Sequence, residues 1–155
     1  MKHIGLYCPA ETGHLHTMLP LGQGLQKKGY QITFFGVPDA ETKIRAAKLD
    51  FYPIGADIFP LGSTEALFNK KLSKLKGLPA FQFTINWFYK SAQIFLEEGA
   101  NALEKTGVEA LIVDQINPEG GTVAQLLDIP FITLCSALPF NQEPGCDSMS
   151  QKADI

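Results

Sequence analysis

Residues 108–135, VEALIVDQINPEGGTVAQLLDIPFITLC, decide the fold of this chain. Two nearly unbroken apolar runs, VEALIVD and DIPFITLC, lie on either side of a short helical stretch, EGGTVAQLLD. Apolar runs of this kind between helices are typical of parallel strands that are covered on both faces of a sheet. The segment therefore predicts a β-α-β unit.

The N-terminal third of the chain repeats this alternation. It predicts strands at 2–8, 31–36 and 49–55, a helix that runs from Met18 to a stop at Gly29, and a second helix at 39–48 with Asp39 as its N-cap. Together the two regions predict five parallel strands in the order 3-2-1-4-5. The predicted fold class is α/β, a Rossmann-like doubly wound parallel sheet in a three-layer α/β/α arrangement.

Between these regions lie a basic segment and an aromatic one. Residues 63–76 predict a short basic helix that is capped by Ser63 and broken by Gly77 and Pro79, and we expect it to be a mobile insert. Apolar residues spaced by threes and fours in 81–107 predict a long helix with Gly107 as its C-terminal cap. This helix carries the densest aromatic cluster of the chain: Phe81, Phe83, Trp87, Phe88, Tyr89 and Phe95. Such a cluster serves either as core or as the wall of a site for an apolar ligand, and both interpretations stay open.

Composition limits the possible partners and compartments. The 155 residues are 45% hydrophobic, enough for one core of ordinary size. Thirteen basic against sixteen acidic residues leave no positive stripe for a nucleic acid, so we exclude that partner. Three cysteines, Cys8, Cys135 and Cys146, form no CxxC pair and favour a reduced, cytoplasmic setting. Neither a signal peptide nor an apolar run of about 18 residues is present.

Two polar residues follow neighbouring strands of the predicted sheet. His14 comes after the first strand and Asp114 closes the fourth, so the strand order places them side by side at the carboxyl edge, where ligands bind in such sheets. A histidine held by a carboxylate is a general base. The alternatives are a surface or capping role for His14 and an N-cap or turn role for Asp114. We expect His16 to face solvent and His3 to be structural.

Motifs for phosphate and metal binding are weak. Gly22 and Gly24 lie inside the first helix and do not complete GxGxxG, so they indicate close packing of helix on sheet. The turn 11–13 at a helix N-terminus is able to approach a phosphate or a sugar hydroxyl. His14 and His16 lack the further ligands of a metal site, and we expect no metal.

Three segments resemble one known family. They are an opening strand followed by Pro-x-x-x-Gly-His, a helix ending in LQKKGYQITFF, and LIVDQINPEGGTVAQLLDIPFITLCSALP. Their order and spacing are similar to the acceptor-binding half of UDP-sugar-dependent glycosyltransferases of the GT-B fold, and the last segment is closest to bacterial members that glucosylate carotenoids such as zeaxanthin. The resemblance covers essentially the whole chain. Tyr30 departs from it, since the family has a histidine at this position of the helix end.

The resemblance implies a set of site residues. His14 matches the histidine that deprotonates the acceptor hydroxyl, and Asp114 matches the acid that holds it. Ser136 matches a residue that contacts the donor sugar, and Thr12 with Gly13 lies where the loop faces the donor phosphates. The implied reaction is inverting transfer of a hexose from a UDP-sugar.

The resemblance also implies the partners. The acceptor is a hydroxylated, lipophilic small molecule, and Trp87 and Phe88 are the residues expected to bind it. The UDP-sugar acts as co-substrate, no cofactor or metal is expected, and the UDP-binding signatures belong to a C-terminal domain that is absent from this sequence. Residues 1–140 are therefore expected to form the acceptor-binding domain and 141–155 a truncated or disordered tail, inactive alone.

Two questions stay open at this point. The chain is either this half of an enzyme or a non-enzymatic module that binds an apolar ligand or pairs with a separate donor-binding domain. Four lysines of the basic segment fit either a solvated helix face or peripheral contact with a membrane: Lys70, Lys71, Lys74 and Lys76.

Overall fold

The computed structural model describes residues 2–136 and contains one five-stranded sheet. The predicted tail 141–155 and Cys146 lie outside the described residues. All strand pairs are parallel, and the order is β3-β2-β1-β4-β5, which confirms the predicted topology. The strands are β1 His3–Tyr7, β2 Gln31–Gly36, β3 Asp50–Pro53, β4 Ala110–Asp114 and β5 Phe131–Leu134.

Helices connect the strands and cover the sheet. They are α1 Thr12–Lys27, α2 Glu41–Ala46, α3 Lys70–Leu72, α4 Gly77–Thr106 and α5 Pro118–Leu126. A 3-10 turn at Pro38–Ala40 precedes α2, and a π-helical segment at Thr64–Asn69 precedes α3. The long helix predicted for 81–107 is thus present, and it ends with Gly107 in the left-handed conformation at φ 68°, as the sequence predicts.

Alternating side chains of the strands form two separate cores. Leu6 and Phe34 point to the side of α1 and α2, whereas Tyr7 and Phe35 point to the side of α4 and α5. Adjacent residues of a strand face opposite sides of the sheet, so the central strands are buried on both faces. The three-layer α/β/α arrangement is confirmed.

Helix α1 begins six residues earlier than predicted. Its first turn forms at Thr12, where the carbonyl oxygen of Glu11 accepts hydrogen bonds from the backbone of His14 and Leu15. The buried face of α1 starts at Leu15, three residues before Met18, and the prediction missed this first apolar position. His14 consequently lies on the first helical turn and not in a loop.

The two glycines of α1 differ in role. A Cβ on Gly22 would lie 2.8 Å from side-chain atoms of Leu6 and Leu49, so this glycine does mark close packing of helix on sheet. No atom lies within 4 Å of the corresponding position on Gly24. The packing interpretation is therefore wrong for Gly24.

Two predicted caps are wrong. Asp39 lies in the 3-10 turn and makes no cap of α2; its carboxylate instead accepts hydrogen bonds from the backbone of Gly62 and of Thr64, the latter at 2.6 Å. The hydroxyl of Ser63 is buried without a hydrogen-bond partner and caps nothing. Asp39 thus ties the basic segment to the end of β2, a long-range contact that local sequence rules do not anticipate. The mobility of this insert stays a prediction.

Candidate active site

The site lies where the first and fourth strands end. Strands β1 and β4 are direct neighbours, with Tyr7 opposite Val113. The chain leaves β1 through Cys8 and enters α1 four residues later, while β4 ends at Asp114. A short connection and a neighbouring strand end therefore bring the first turn of α1 against the end of β4.

The structure places His14 in contact with Asp114. The distance from His14 Nδ1 to Asp114 Oδ2 is 2.7 Å, and the aspartate is completely buried, whereas 20% of the histidine side chain is exposed. Because a carboxylate only accepts hydrogen bonds, the Nδ1 proton is donated to Asp114 and Nε2 keeps its lone pair. The arrangement presents an oriented imidazole that is able to accept a proton at Nε2.

Ser136 completes this group of side chains. Its hydroxyl lies 2.8 Å from His14 Nδ1 and donates a hydrogen bond to the same carboxylate oxygen of Asp114. The second carboxylate oxygen accepts the backbone N–H of Ile116 at 3.1 Å. Three donors thus hold the buried carboxylate in one orientation. The sequence associated Ser136 with the donor sugar only; its contact with both members of the pair was not anticipated.

Thr12 and Gly13 lie on the exposed side of the same helical turn. The Thr12 hydroxyl accepts a hydrogen bond from Lys43 Nζ at 3.0 Å, and a pocket of about 510 Å³ is bordered by Thr12, Lys43 and Asp39. No atom lies within 4 Å of a Cβ placed on Gly13, so this side of the turn is open. Sequence reasoning missed Lys43, because an isolated lysine on the following helix carries no local motif.

Trp87 and Phe88 are half-buried in the middle of α4. Both border a narrow cleft of about 40 Å³ that Cys8 and Glu11 also line, which places them near the turn that carries His14. Trp87 packs against Phe59, with 4.7 Å between the ring centroids.

The aromatic cluster divides along α4. Phe95 is completely buried and stacks on Tyr7 at 3.8 Å, whereas Phe81 and Tyr89 are each 61% exposed. The C-terminal half of the helix therefore serves the core, and its N-terminal half lines a groove. The core interpretation is thus confirmed for Phe95, and a ligand site along the N-terminal half stays a prediction.

A buried polar group behind the cleft was not predicted. Tyr7 donates a hydrogen bond to Glu119 Oε1 at 2.8 Å, and Asn117 Nδ2 donates to the same oxygen at 2.7 Å. All three side chains are buried. Burial, and next the charge of Glu119, raise the pKa of the Tyr7 hydroxyl well above its usual value, so this group stays a hydrogen-bond donor. In sequence, Tyr7 resembles an ordinary core residue of a strand.

Two further ionisable groups lie next to the turn. Burial raises the pKa of the Cys8 thiol well above its usual value, and the negative charges of Asp114 and Glu11 add to this effect. Cys8 is therefore a thiol and not a nucleophile at neutral pH. Burial also raises the pKa of the Glu11 carboxyl, an effect that His14 and Lys43 partly offset.

The described residues 2–136 offer neither a cluster of metal ligands nor a membrane-spanning helix. No three or more His, Cys, Asp or Glu side chains in this range are grouped closely enough to hold a metal ion. None of the helices in the same range combines the length and the apolar character needed to cross a lipid bilayer.

No family model matches the sequence. The chain is 29% identical over 144 residues to a zeaxanthin glucosyltransferase of Pantoea ananas, in an alignment that covers 93% of this chain and 33% of that protein. It is 26% identical over 147 residues to a zeaxanthin glucosyltransferase of Pseudescherichia vulneris, with 94% and 33% covered. The chain thus spans about a third of the length of these curated relatives.

A solved structure shares the fold. The spinosyn rhamnosyltransferase SpnG in complex with thymidine diphosphate superposes with a TM-score of 0.61 at 22% identity, covering 86% of this chain and 34% of that one. Its fold agrees with the five-stranded parallel sheet and flanking helices described above. The chain is thus similar to about a third of two zeaxanthin glucosyltransferases, and it has the Rossmann-like α/β fold that forms one half of glycosyltransferases of the GT-B type.

Proposed function

We propose that this chain supplies the acceptor-binding half and the general base of an inverting glycosyltransferase. The reaction transfers a hexose from a UDP-sugar to a hydroxyl group of a lipophilic small molecule. The observation that carries the proposal is the contact of 2.7 Å between His14 Nδ1 and the fully buried Asp114. It orients the imidazole and stabilises the imidazolium that forms when Nε2 takes a proton.

The chemical step follows from this geometry. The acceptor hydroxyl lies against Nε2 of His14, gives up its proton as it attacks, and forms the new bond to the anomeric carbon of the sugar. Attack from the face opposite UDP inverts this carbon, and the bond to UDP breaks. Holding both substrates in line converts an encounter in solution into a reaction within one complex. Asp114 holds the ring through Nδ1 and supports the charge that develops on it.

Donor binding is divided in the proposal. In the proposal, Thr12 and Gly13 contact the donor phosphates; the open space beside Gly13 and the preference of a helix N-terminus for anions support this assignment. The neighbour SpnG was solved with thymidine diphosphate, which supports a nucleotide-sugar donor. Because the chain spans a third of its relatives, we assign most donor contacts to a second domain.

Two observations support a lipophilic acceptor. Trp87 and Phe88 border the cleft that leads to the turn before His14, and apolar walls with few polar groups are typical of small-molecule sites. Both curated relatives are named for zeaxanthin, a hydroxylated carotenoid. An acceptor of this kind partitions into bilayers, so the proposal includes peripheral contact with a membrane as the place where the enzyme meets it.

The test joins this chain to a donor-binding domain and measures hexose transfer from UDP-glucose to a hydroxylated carotenoid. His14→Ala is expected to lower the transfer rate by roughly 10²–10⁴-fold and to leave UDP-sugar binding nearly intact. His16→Ala is the matched control, because His16 is exposed on the same helix two residues further on. Unchanged turnover in His14→Ala would refute the base assignment. Tight acceptor binding without any transfer would favour the non-enzymatic module instead.

A further inference from the structure

Helix α4 presents an apolar stripe to solvent. Side chains separated by three or four residues share one face of a helix. Four large apolar residues follow this spacing along α4, and a fifth lies two turns further along the same face; all are between 45% and 75% exposed: Leu78, Phe81, Ile85, Tyr89 and Leu96. An exposed apolar surface of this length marks an interaction site.

Lysines flank this stripe. Residues 63–94 contain five lysines and a single acidic residue, Glu65, whereas the rest of the chain contains eight basic and fifteen acidic residues. All five lysine side chains are exposed, and neither ion pair in the described part of the chain involves them: Lys70, Lys71, Lys74, Lys76 and Lys90. The segment that leads into α4 and forms its first half is thus basic in an otherwise acidic chain, and Lys71 and Lys90 border the same groove beside Tyr89.

A groove lies beside this face and shares one lining residue, Trp87, with the cleft next to the candidate active site. It has a volume of about 440 Å³ and is bordered by Lys71, Trp87 and Tyr89. Lys71 Nζ lies over the Phe83 ring, 5.2 Å from its centroid, so charge and apolar surface meet at the groove mouth. Trp87 also borders the narrow cleft near His14, so the two spaces are neighbours at this side chain.

We infer that the lysine-flanked stripe of α4 docks on the surface of a membrane that contains anionic lipids. An amphipathic helix with an apolar stripe and lysines at its borders lies in the plane of the interface, where lysines attract anionic headgroups. The acidic remainder of the chain is repelled by the same surface, which fixes the orientation. That the groove then receives its acceptor from the bilayer rests on the proposed function; the docking does not.

The first experiment measures binding of the 155-residue chain to vesicles. We expect co-sedimentation with vesicles of phosphatidylcholine mixed with phosphatidylglycerol and little with phosphatidylcholine alone, and binding should weaken as salt screens the lysines. Trp87 is the one tryptophan of the chain and borders the groove. Brominated phospholipids are therefore expected to quench its fluorescence. Binding without quenching, or binding that ignores anionic lipid, would overturn the inference.

Matched charge variants identify the docking face. The test variant carries Lys70→Gln, Lys74→Gln and Lys76→Gln. The control variant loses the same charge at the C-terminal ends of α1 and α4, through Lys27→Gln, Lys28→Gln and Lys105→Gln. Because the test variant loses three interfacial lysines, we expect its membrane partition coefficient to fall about a hundredfold and that of the control to change little. Equal losses in both variants would show that only net charge matters and would contradict a docked face.

A second pair of variants tests the apolar part. Phe81→Ser with Tyr89→Ser is expected to abolish the binding that persists at high salt, whereas Leu126→Ser, at a still more exposed position on α5, leaves it unchanged. Sedimentation velocity without lipid tests the alternative that a second copy of the chain binds the stripe. If the chain self-associates and Phe81→Ser abolishes this association, a second copy covers the stripe and the membrane inference fails. None of these measurements needs a sugar donor, so their failure is distinct from failure of the proposed transfer activity.

Discussion

Asp114→Asn is the substitution that separates the position of the His14 ring from its protonation. The side chain is completely buried, and asparagine has nearly the same volume, so packing is preserved. The amide oxygen is able to keep the hydrogen bond from the backbone of Ile116, which turns the amide NH₂ group toward His14 Nδ1. Nδ1 then accepts a hydrogen bond, and the ring proton moves to Nε2. The imidazole stays in place but is no longer able to accept a proton from the substrate.

The magnitude follows from what a general base contributes. Positioned proton transfer typically accelerates a reaction by roughly 10²–10⁴-fold, which corresponds to about 3–5 kcal/mol of the barrier. Asp114→Asn is expected to lower kcat by an amount within this range and to leave KM for the acceptor unchanged. His14→Ala removes the same contribution. The double variant is therefore expected to be no slower than His14→Ala, because the two residues act as one unit.

Two measurements check this expectation. Transfer rates of the single and double variants are compared in the chain joined to a donor-binding domain. Nitrogen-15 NMR of labelled histidine, in the 155-residue chain itself, reports which ring nitrogen carries the proton: Nδ1 in the unaltered chain and Nε2 in Asp114→Asn. If the two rate effects multiply in the double variant, or if Nδ1 keeps its proton in Asp114→Asn, the reasoning is refuted.

Three further predictions concern neighbouring residues. Ser136→Ala removes a hydroxyl that bonds both members of the pair, and we expect kcat to fall about 2–10-fold with an unchanged KM for the donor; a raised donor KM at constant kcat would instead support a sugar contact. Gly120→Ala places a Cβ 2.5 Å from a β4 valine and is expected to cost about 1–3 kcal/mol of unfolding free energy, whereas Gly24→Ala, which meets no atom within 4 Å, is expected to stabilise α1; urea denaturation measures both. Burial raises the pKa of Glu11, so ionisation of this carboxyl lowers stability as pH rises from its unfolded to its folded pKa. Glu11→Gln should therefore raise Tm at pH 7 and leave it unchanged at low pH. The control Glu104→Gln, at an exposed position, should leave Tm unchanged at both pH values.

The strand order and the meeting of His14 with Asp114 were predictable from the sequence. Parallel strands that alternate with helices leave few topologies, and two residues that end neighbouring strands must then emerge together. The start of α1 was not predictable in the same way. Its first buried position, Leu15, lies between two histidines, where the apolar period is short and the cap residue Glu11 makes no side-chain hydrogen bond.

Contacts between distant residues account for what sequence reasoning missed. Asp39 has the composition of an N-cap, yet its carboxylate binds backbone groups more than twenty positions further along the chain. Lys43 meets Thr12 across the gap between two helices. Local propensity describes neither contact, because each depends on how the connections pack once the sheet has formed.

The buried carboxylate of Glu119 makes the identities of three residues depend on one another: Tyr7, Asn117 and Glu119 itself. Its hydrogen bonds come from Tyr7 at the end of β1 and Asn117 at the start of α5, and all three side chains are buried, so a group left without its partner is costly. A change at one of these positions leaves a charge or a donor stranded until the others change as well. Across related sequences, we expect the three residues to be kept together or exchanged together for an apolar set.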